Sequence, residues 1–212
     1  MIVKDFMTPN PITVTPQTSF NEALKTMREN RIRRLPVLDN GKLVGIVTEK
    51  DLLYASPSKA TTLDIWELHY VLSKLKIGEI MTSNVITVEE NAPLEEAAKI
   101  MSENKIGALP VLNSEGDLVG IITETDIFKI FIDMLGARRD GIRYTFEAPN
   151  KPGVILELSR RVFEAGGNII AISSYPKDGN EYYVVMKVAG VDHETFLKSL
   201  EDCSGKLLYF HR

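Results

Sequence analysis

Two short stretches of the chain carry the same potential chemistry. VGIVTEKD at residues 44–51 and VGIITETD at residues 119–126 each run from an apolar segment through a glycine into Thr-x-x-Asp. A carboxylate accepts hydrogen bonds and donates none, so Asp51 and Asp126 can each hold two neighbouring hydroxyl donors, as a ribose presents them. A helix starting at the threonine would add free N–H groups and a positive dipole end, which suit a phosphate. The same letters also spell a capping box, in which the threonine caps the helix and the aspartate reaches back to backbone N–H groups. A ligand-gripping carboxylate and a stabilised helix end both fit, and both readings stay open here.

The elements that must position these residues are themselves duplicated. MTPNPITV at residues 7–14 recurs as MTSNVITV at 81–88, and ENRIRRLPVL at 29–38 recurs as ENKIGALPVL at 103–112, with one constant spacing. Past the turns DNGK and NSEGD the spacing grows by one residue. Roughly half of the aligned positions are identical, more than two unrelated helices would share. In each copy a short strand, ITV, comes first. Phe20, Ala23, Leu24 and Met27 then fall on one face of a helix that Thr18 or Ser19 can cap, and Pro93 suits the first turn of its counterpart. A strand with Pro36, a glycine-containing hairpin turn and the strand LVGIV follow, and a helix from Thr48 or Thr123 closes the unit. The order is β-α-β-β-α, twice, and two units this small must bury their sheets against each other.

The order MT, ITV, LPV and G-h-h-T-x-x-D, present in both copies, resembles a CBS (cystathionine-β-synthase) domain, and residues 1 to about 135 resemble a tandem CBS pair. The resemblance implies two clefts, each taking Thr-x-x-Asp from one repeat and the first strand and LPV region of the other. In the first, Ile121, Thr123, Thr125 and Asp126 would meet Thr8, Asn10, Ile12, Ile32, Arg33 and Arg34. In the second, Ile46, Thr48, Lys50 and Asp51 would meet Thr82, Asn84, Ile86, Ile106, Gly107 and Ala108. It implies that the aspartates take ribose, Thr123 and Thr48 ribose or phosphate, and that Ile12, Ile32 and Ile121 bracket a base in one cleft and Ile86, Ile106 and Ile46 in the other. The copies differ in charge: RIRRLPV supplies Arg31, Arg33 and Arg34, KIGALPV only Lys105. The planar fork of arginine suits phosphate oxygens. The Asp126 cleft is therefore expected to hold the phosphorylated nucleotide, and the Asp51 cleft to bind weakly, stay empty or take an adenosyl compound with an uncharged tail. Alternatively, the arginines simply follow a helix C-terminus, where cations are favoured.

Between the copies, Ile65, Leu68, Leu72 and Leu75 form an apolar seam with Trp66 and Tyr70 beside it, capped by Thr62 or Asp64. This helix either packs on its own repeats or docks a partner. After a linker at residues 137–140, IRYTFEA, GVILELSRRVFEAGG, NIIAISSYP, EYYVVMKVA, DHETFLKSLED and KLLYF read as β-α-β-β-α-β, a ferredoxin-like sandwich. NKPGVILELSRRVFEAGGNI resembles an ACT domain over residues 141–211. That resemblance implies an amino-acid site at Asn150, Lys151, Pro152 and Gly153 with Asn168 opposite, and pairing of two chains through their sheets as a homodimer. A tight turn without a ligand is the competing reading of the same residues. The domain plan is thus residues 1–76 for repeat 1 and the connector, 77–136 for repeat 2, 137–140 for the linker and 141–212 for the ACT-like domain, of mixed α/β class.

Little in the sequence suggests catalysis. His69, His193 and His211 are scattered without metal-ligand spacing, Cys203 has no nearby histidine, and neither G-x-x-x-x-G-K-[ST] nor G-x-G-x-x-G occurs. Glu49 and Glu124 recur at one repeat position and read as a solvated face. The 212 residues are 44% hydrophobic and 25% charged with a net charge of −4, ordinary for a globular protein and unfavourable for nucleic-acid binding through Arg31–Arg34 or Arg138–Arg139. A lone cysteine fits a reducing compartment, and MIVKDFMTPNP has neither the basic nor the apolar region of a secretory leader, so a cytoplasmic protein off the membrane is expected. The whole order resembles the acetoin-utilisation AcuB-like family. It implies a non-catalytic regulatory protein that senses AMP, ADP, ATP or S-adenosylmethionine, needs no catalytic cofactor or metal, and acts on an unknown partner protein. A ligand-free dimeric scaffold with vestigial clefts is the alternative.

Overall fold

The computed structural model describes residues 1–56, 70, 72–177 and 179–212. The chain divides into two compact units, Met1–Ile127 and Phe128–Arg212. The division falls inside a helix, ahead of the linker expected at residues 137–140. The mixed α/β class read from the sequence is the class observed.

In the first unit a 3-10 turn (Val3–Asp5) leads to β1 (Thr8–Pro9), α1 (Phe20–Glu29), the hairpin β2 (Arg34–Asp39) and β3 (Lys42–Thr48), and α2 (Glu49–Ala55). The second copy runs through α3 (Ile77–Ile80), β4 (Val88–Glu89), α4 (Leu94–Asn104), β5 (Ala108–Leu112), β6 (Leu118–Thr123) and α5 (Glu124–Met134). Ser19 rather than Thr18 caps α1: its side chain accepts from the Glu22 N–H while the Glu22 carboxylate accepts from the Ser19 N–H at 2.9 Å. Pro93 takes the N-cap position of α4, one residue earlier than expected. Phe20, Ala23 and Met27 of α1, and Leu94, Ala97 and Met101 of α4, are buried at the same helical spacing.

Each repeat completes its sheet with a segment of the other. Thr8 pairs antiparallel with Ile121 of the second copy, and Thr82 forms an antiparallel bridge with Ile46 of the first. On the opposite side each hairpin keeps to its own copy, with Val14 parallel to Val37 and Val88 parallel to Val111. The exchange depends on two glycines. A Cβ on Gly45 would overlap the Met81 side chain, and one on Gly120 the Met7 side chain. Lys42 and Asp117 join the two hairpins at 2.8 Å, and that contact lowers the Asp117 carboxyl below its ordinary range. In the connector, Leu72 and Leu75 pack against the first repeat's core, whereas Tyr70 is 66% exposed. The expected contributions of Thr62, Asp64, Ile65, Trp66 and Leu68 lie outside the described residues.

The second unit holds β7 (Ile142–Pro149), α6 (Val154–Glu164), β8 (Asn168–Pro176), β9 (Glu181–Ala189), α7 (His193–Ser199) and β10 (Lys206–His211). The antiparallel sheet has the order β10-β7-β9-β8, which gives β-α-β-β-α-β its ferredoxin-like form. Tyr144, Phe146, Val184, Met186 and Val188 meet Leu158, Val162 and Phe196 in its core. The buried Tyr144 hydroxyl finds His193 Nδ1 at 2.9 Å, and burial raises the phenol pKa. Gly166 follows α6 at φ 74, where a left-handed residue closes a helix without strain. Among the described residues no helix is long and apolar enough to cross a membrane.

Leu158 is fully buried in that core. Leu158→Ala is expected to lower the stability of the C-terminal unit by about 2–5 kcal/mol, read as a shift of the urea midpoint with an unchanged slope.

Candidate functional site

Both Thr-x-x-Asp stretches fold as capping boxes. Thr48 holds an extended backbone (φ −113, ψ 161) at the start of α2, and Asp51 Oδ2 accepts from the Thr48 N–H at 2.8 Å and its hydroxyl at 2.7 Å. In return, the Asp51 N–H donates to Thr48 Oγ1 at 3.2 Å. Thr123 and Asp126 repeat the pattern at 3.0, 2.7 and 3.4 Å. The cap uses one carboxylate oxygen. For Asp51 the other, Oδ1, makes no hydrogen bond to a described residue. Capping and ligand binding therefore need not compete for the same atom.

Asp51 stands in a cleft of about 520 Å³ built from both repeats. Ile46, Thr48, Lys50 and Asp51 line it from the first, and Thr82, Asn84, Ile86, Ile106, Gly107 and Ala108 from the second, so all ten residues expected together do meet. Thr82 arrives through its bridge to Ile46, and Ala108 lies opposite Thr123 in the β5–β6 ladder.

The Asp51 cleft also carries the charge that the sequence pointed to beside Asp126. Arg33 and Arg34, expected beside Asp126, line the Asp51 cleft. The reason is local register: Arg34 pairs with Thr48 across the β2–β3 hairpin, and the Arg33 carbonyl accepts from the Glu49 N–H at 2.9 Å. With Lys50 and Lys105 they make four cationic side chains against the acids Glu49 and Asp51, a net positive lining in an acidic chain. Desolvation lowers the Arg34 pKa, Arg33 adds to that, and Glu124 opposes it. Lys105, Glu49 and Glu124 were not among the expected site residues; the shared repeat position of the two glutamates was the available signal.

Around Asp126 the structure brings together part of the expected set. Thr8 pairs with Ile121, and the Asn10 N–H donates to the Val119 carbonyl at 3.1 Å. Thr125 is exposed on α5 and Ile12 is 41% exposed, whereas Ile32 packs against the first repeat's core.

In the second unit the turn after β7 borders a cleft of about 330 Å³ lined by Asn150, Lys151, Pro152 and Gly153, with Ser174 and Tyr182 beside them. Gly153 has φ 95, a conformation that favours glycine, at the N-cap of α6. Asn168 does not join this cleft. It pairs with Ala189 at one end of β8, whereas the turn adjoins the other end, where Pro176 pairs with Tyr182. Cys203 is partly buried; burial raises its thiol pKa, and the nearby Glu157 adds to the shift. No cluster of three or more His, Cys, Asp or Glu able to hold a metal occurs among the described residues.

The CBS domain family matches at residues 3–58 and 77–133. The CBS domain pair of protein MJ0100, solved with 5'-methylthioadenosine and S-adenosyl-L-methionine, is similar at 35% identity and a TM-score of 0.52, covering 66% of this chain and 98% of that one. CBSX2 of Arabidopsis thaliana, solved with AMP, is similar at 35% identity and a TM-score of 0.51, covering 65% and 98%. A Vibrio cholerae protein assigned to acetoin utilization, AcuB, is similar at 35% identity and a TM-score of 0.54, covering 65% and 95%.

Removing the cap by Thr48→Ala is expected to cost about 1 kcal/mol of stability without ligand, measured by urea unfolding. Because the Cys203 thiol is raised, its thiolate fraction stays below that of a free cysteine as pH rises from about 7 to 9. Iodoacetamide should modify it more slowly than free cysteine throughout that range, and the difference should vanish in denaturant.

Proposed function

The chain belongs to the CBS domain family, two copies of which it carries, and from that premise we propose that the Asp51 cleft is a regulatory site for an adenosine compound with an anionic tail, namely AMP, ADP or ATP. One observation carries the reading: a carboxylate oxygen left over by the helix cap shares a cleft with four cationic side chains. Asp51 takes the ribose hydroxyls through Oδ1. Ile46, Ile86 and Ile106 bracket the base, and Arg33, Arg34, Lys50 and Lys105 take the phosphate. The adenosine ligands of the MJ0100 pair and of CBSX2 support the ligand class. This reading gives the anionic ligand to the Asp51 cleft, where the sequence had pointed to the Asp126 side. In this reading the Asp126 side, with Thr8, Asn10, Ile12, Ile121, Thr123 and Thr125, takes an adenosyl compound that carries no phosphate, such as S-adenosylmethionine, or nothing.

The protein acts as a sensor rather than a catalyst, its two repeats shifting their balance of conformations when a ligand favours one of them. Residues 141–212 are read as an ACT-like domain that pairs two chains and takes an amino acid at the Asn150–Gly153 turn, a reading supported by the ferredoxin-like strand order and the cleft at that turn. The likeness to AcuB supports a place in acetoin utilisation. Output through a partner protein in the cytoplasm completes the reading.

Calorimetric titration with AMP, ADP, ATP and S-adenosylmethionine is the test. AMP is expected to bind the wild-type protein and to raise its melting midpoint, since a ligand at about 100 times its Kd stabilises by about 2.7 kcal/mol. Asp51→Ala should abolish the AMP heat while Asp126→Ala retains it. Equal loss in both variants would defeat the assignment, and no shift with any compound would favour a scaffold with vestigial clefts.

A further inference from the structure

We propose that Glu124 sets the charge selectivity of the Asp51 cleft by competing with a ligand's anionic group for Arg34. The proposal rests on the reading of that cleft as an adenosine site and adds a residue from the other repeat that tunes what the site accepts.

Arg34 stands on β2 of the first copy and Glu124 opens α5 of the second. Their charged ends flank the space above Gly107 without forming an ion pair: a Cβ placed there would lie 2.5 Å from Arg34 Nη2 and 2.8 Å from Glu124 Oε2. The missing side chain at residue 107 is what makes room for both. Glu124 is held in place by its own N–H, which donates to the Gly107 carbonyl at 3.1 Å. Arg34 is partly buried and has Arg33 beside it, so its guanidinium gains from a nearby anion; Glu124 supplies that field. Glu124 is exposed and can turn its carboxylate to water when another anion arrives.

The device is one-sided. The position equivalent to Arg34 in the second copy is Ala108, so the glutamate equivalent to Glu124, Glu49, has no such arginine in the other copy to draw on. In the empty cleft Arg34 is partly neutralised. A phosphate must displace Glu124 to reach the full charge of Arg34, whereas an uncharged tail need not. Glu124 therefore penalises a ligand's anionic group and leaves an uncharged tail untouched.

The experiment compares AMP with adenosine, which shares base and ribose but lacks the phosphate, in the full-length protein. Glu124→Gln is expected to tighten AMP by about three- to tenfold and leave adenosine unchanged. Arg34→Met should weaken AMP, leave adenosine unchanged, and make Glu124→Gln silent when the two are combined. Thermal melts without ligand establish that each variant is folded. If Glu124→Gln tightens AMP equally in the Arg34→Met background, a general field is at work and the proposal is wrong. If adenosine and AMP bind but their ratio ignores Glu124, the proposal falls and the cleft reading stands. If neither binds the wild-type protein, both fall together.

Discussion

The exchange of short segments between the two repeats is the constraint on which the rest of the first unit depends. Thr8 reaches the second copy's β6 and Thr82 the first copy's β3, so each hairpin has one neighbour from its own sequence and one from the other. An unpaired strand edge leaves backbone donors and acceptors without partners, and the exchange satisfies them. It also brings Thr82, Asn84 and Ile86 to the side of Ile46, Thr48 and Asp51. The cleft is a by-product of how the sheet closes. Gly45 and Gly120 belong to the same logic, because Met81 and Met7 lie where a side chain would stand.

Each Thr-x-x-Asp carboxylate commits one oxygen to its helix cap. Asp51 and Asp126 each hold a helix start together through Oδ2, an arrangement that would persist with no ligand at all. Fixing that oxygen also fixes where the other one stands. A side chain whose rotamer is already determined loses little freedom when a second partner arrives, so a structural cap is a good foundation for a binding site. In the reading proposed, stability and recognition draw on the same residue without trading one for the other.

Much of this was legible in the sequence because it is local. Ser19, Thr48, Thr123 and Asp192 start helices through bonds to residues three positions away, and the apolar spacing of Phe20, Ala23 and Met27 names the buried face. The doubled motifs likewise announce a paired architecture. What remained hidden depends on which residue faces which across the fold. Arg33 and Arg34 sit beside Thr48 because of hairpin register, while their sequence neighbours gave no sign of that. Asn168 is at the wrong end of β8 for the Asn150 turn, since a strand of nine residues separates its two ends by more than a hydrogen bond can span. Gly107 was expected in the cleft, but the space it leaves for Arg34 and Glu124 depends on residues distant in the chain.

A single copy of this unit would have to borrow its missing strand from an identical twin. Such a pair would be bound by two-fold symmetry, and every change made to one binding surface would appear at once in the other. Fusing the copies into one polypeptide keeps the mutual lending of strands but releases that obligation. Arg33 and Arg34 in one copy against Gly107 and Ala108 in the other show that freedom in use: equivalent positions present different charge.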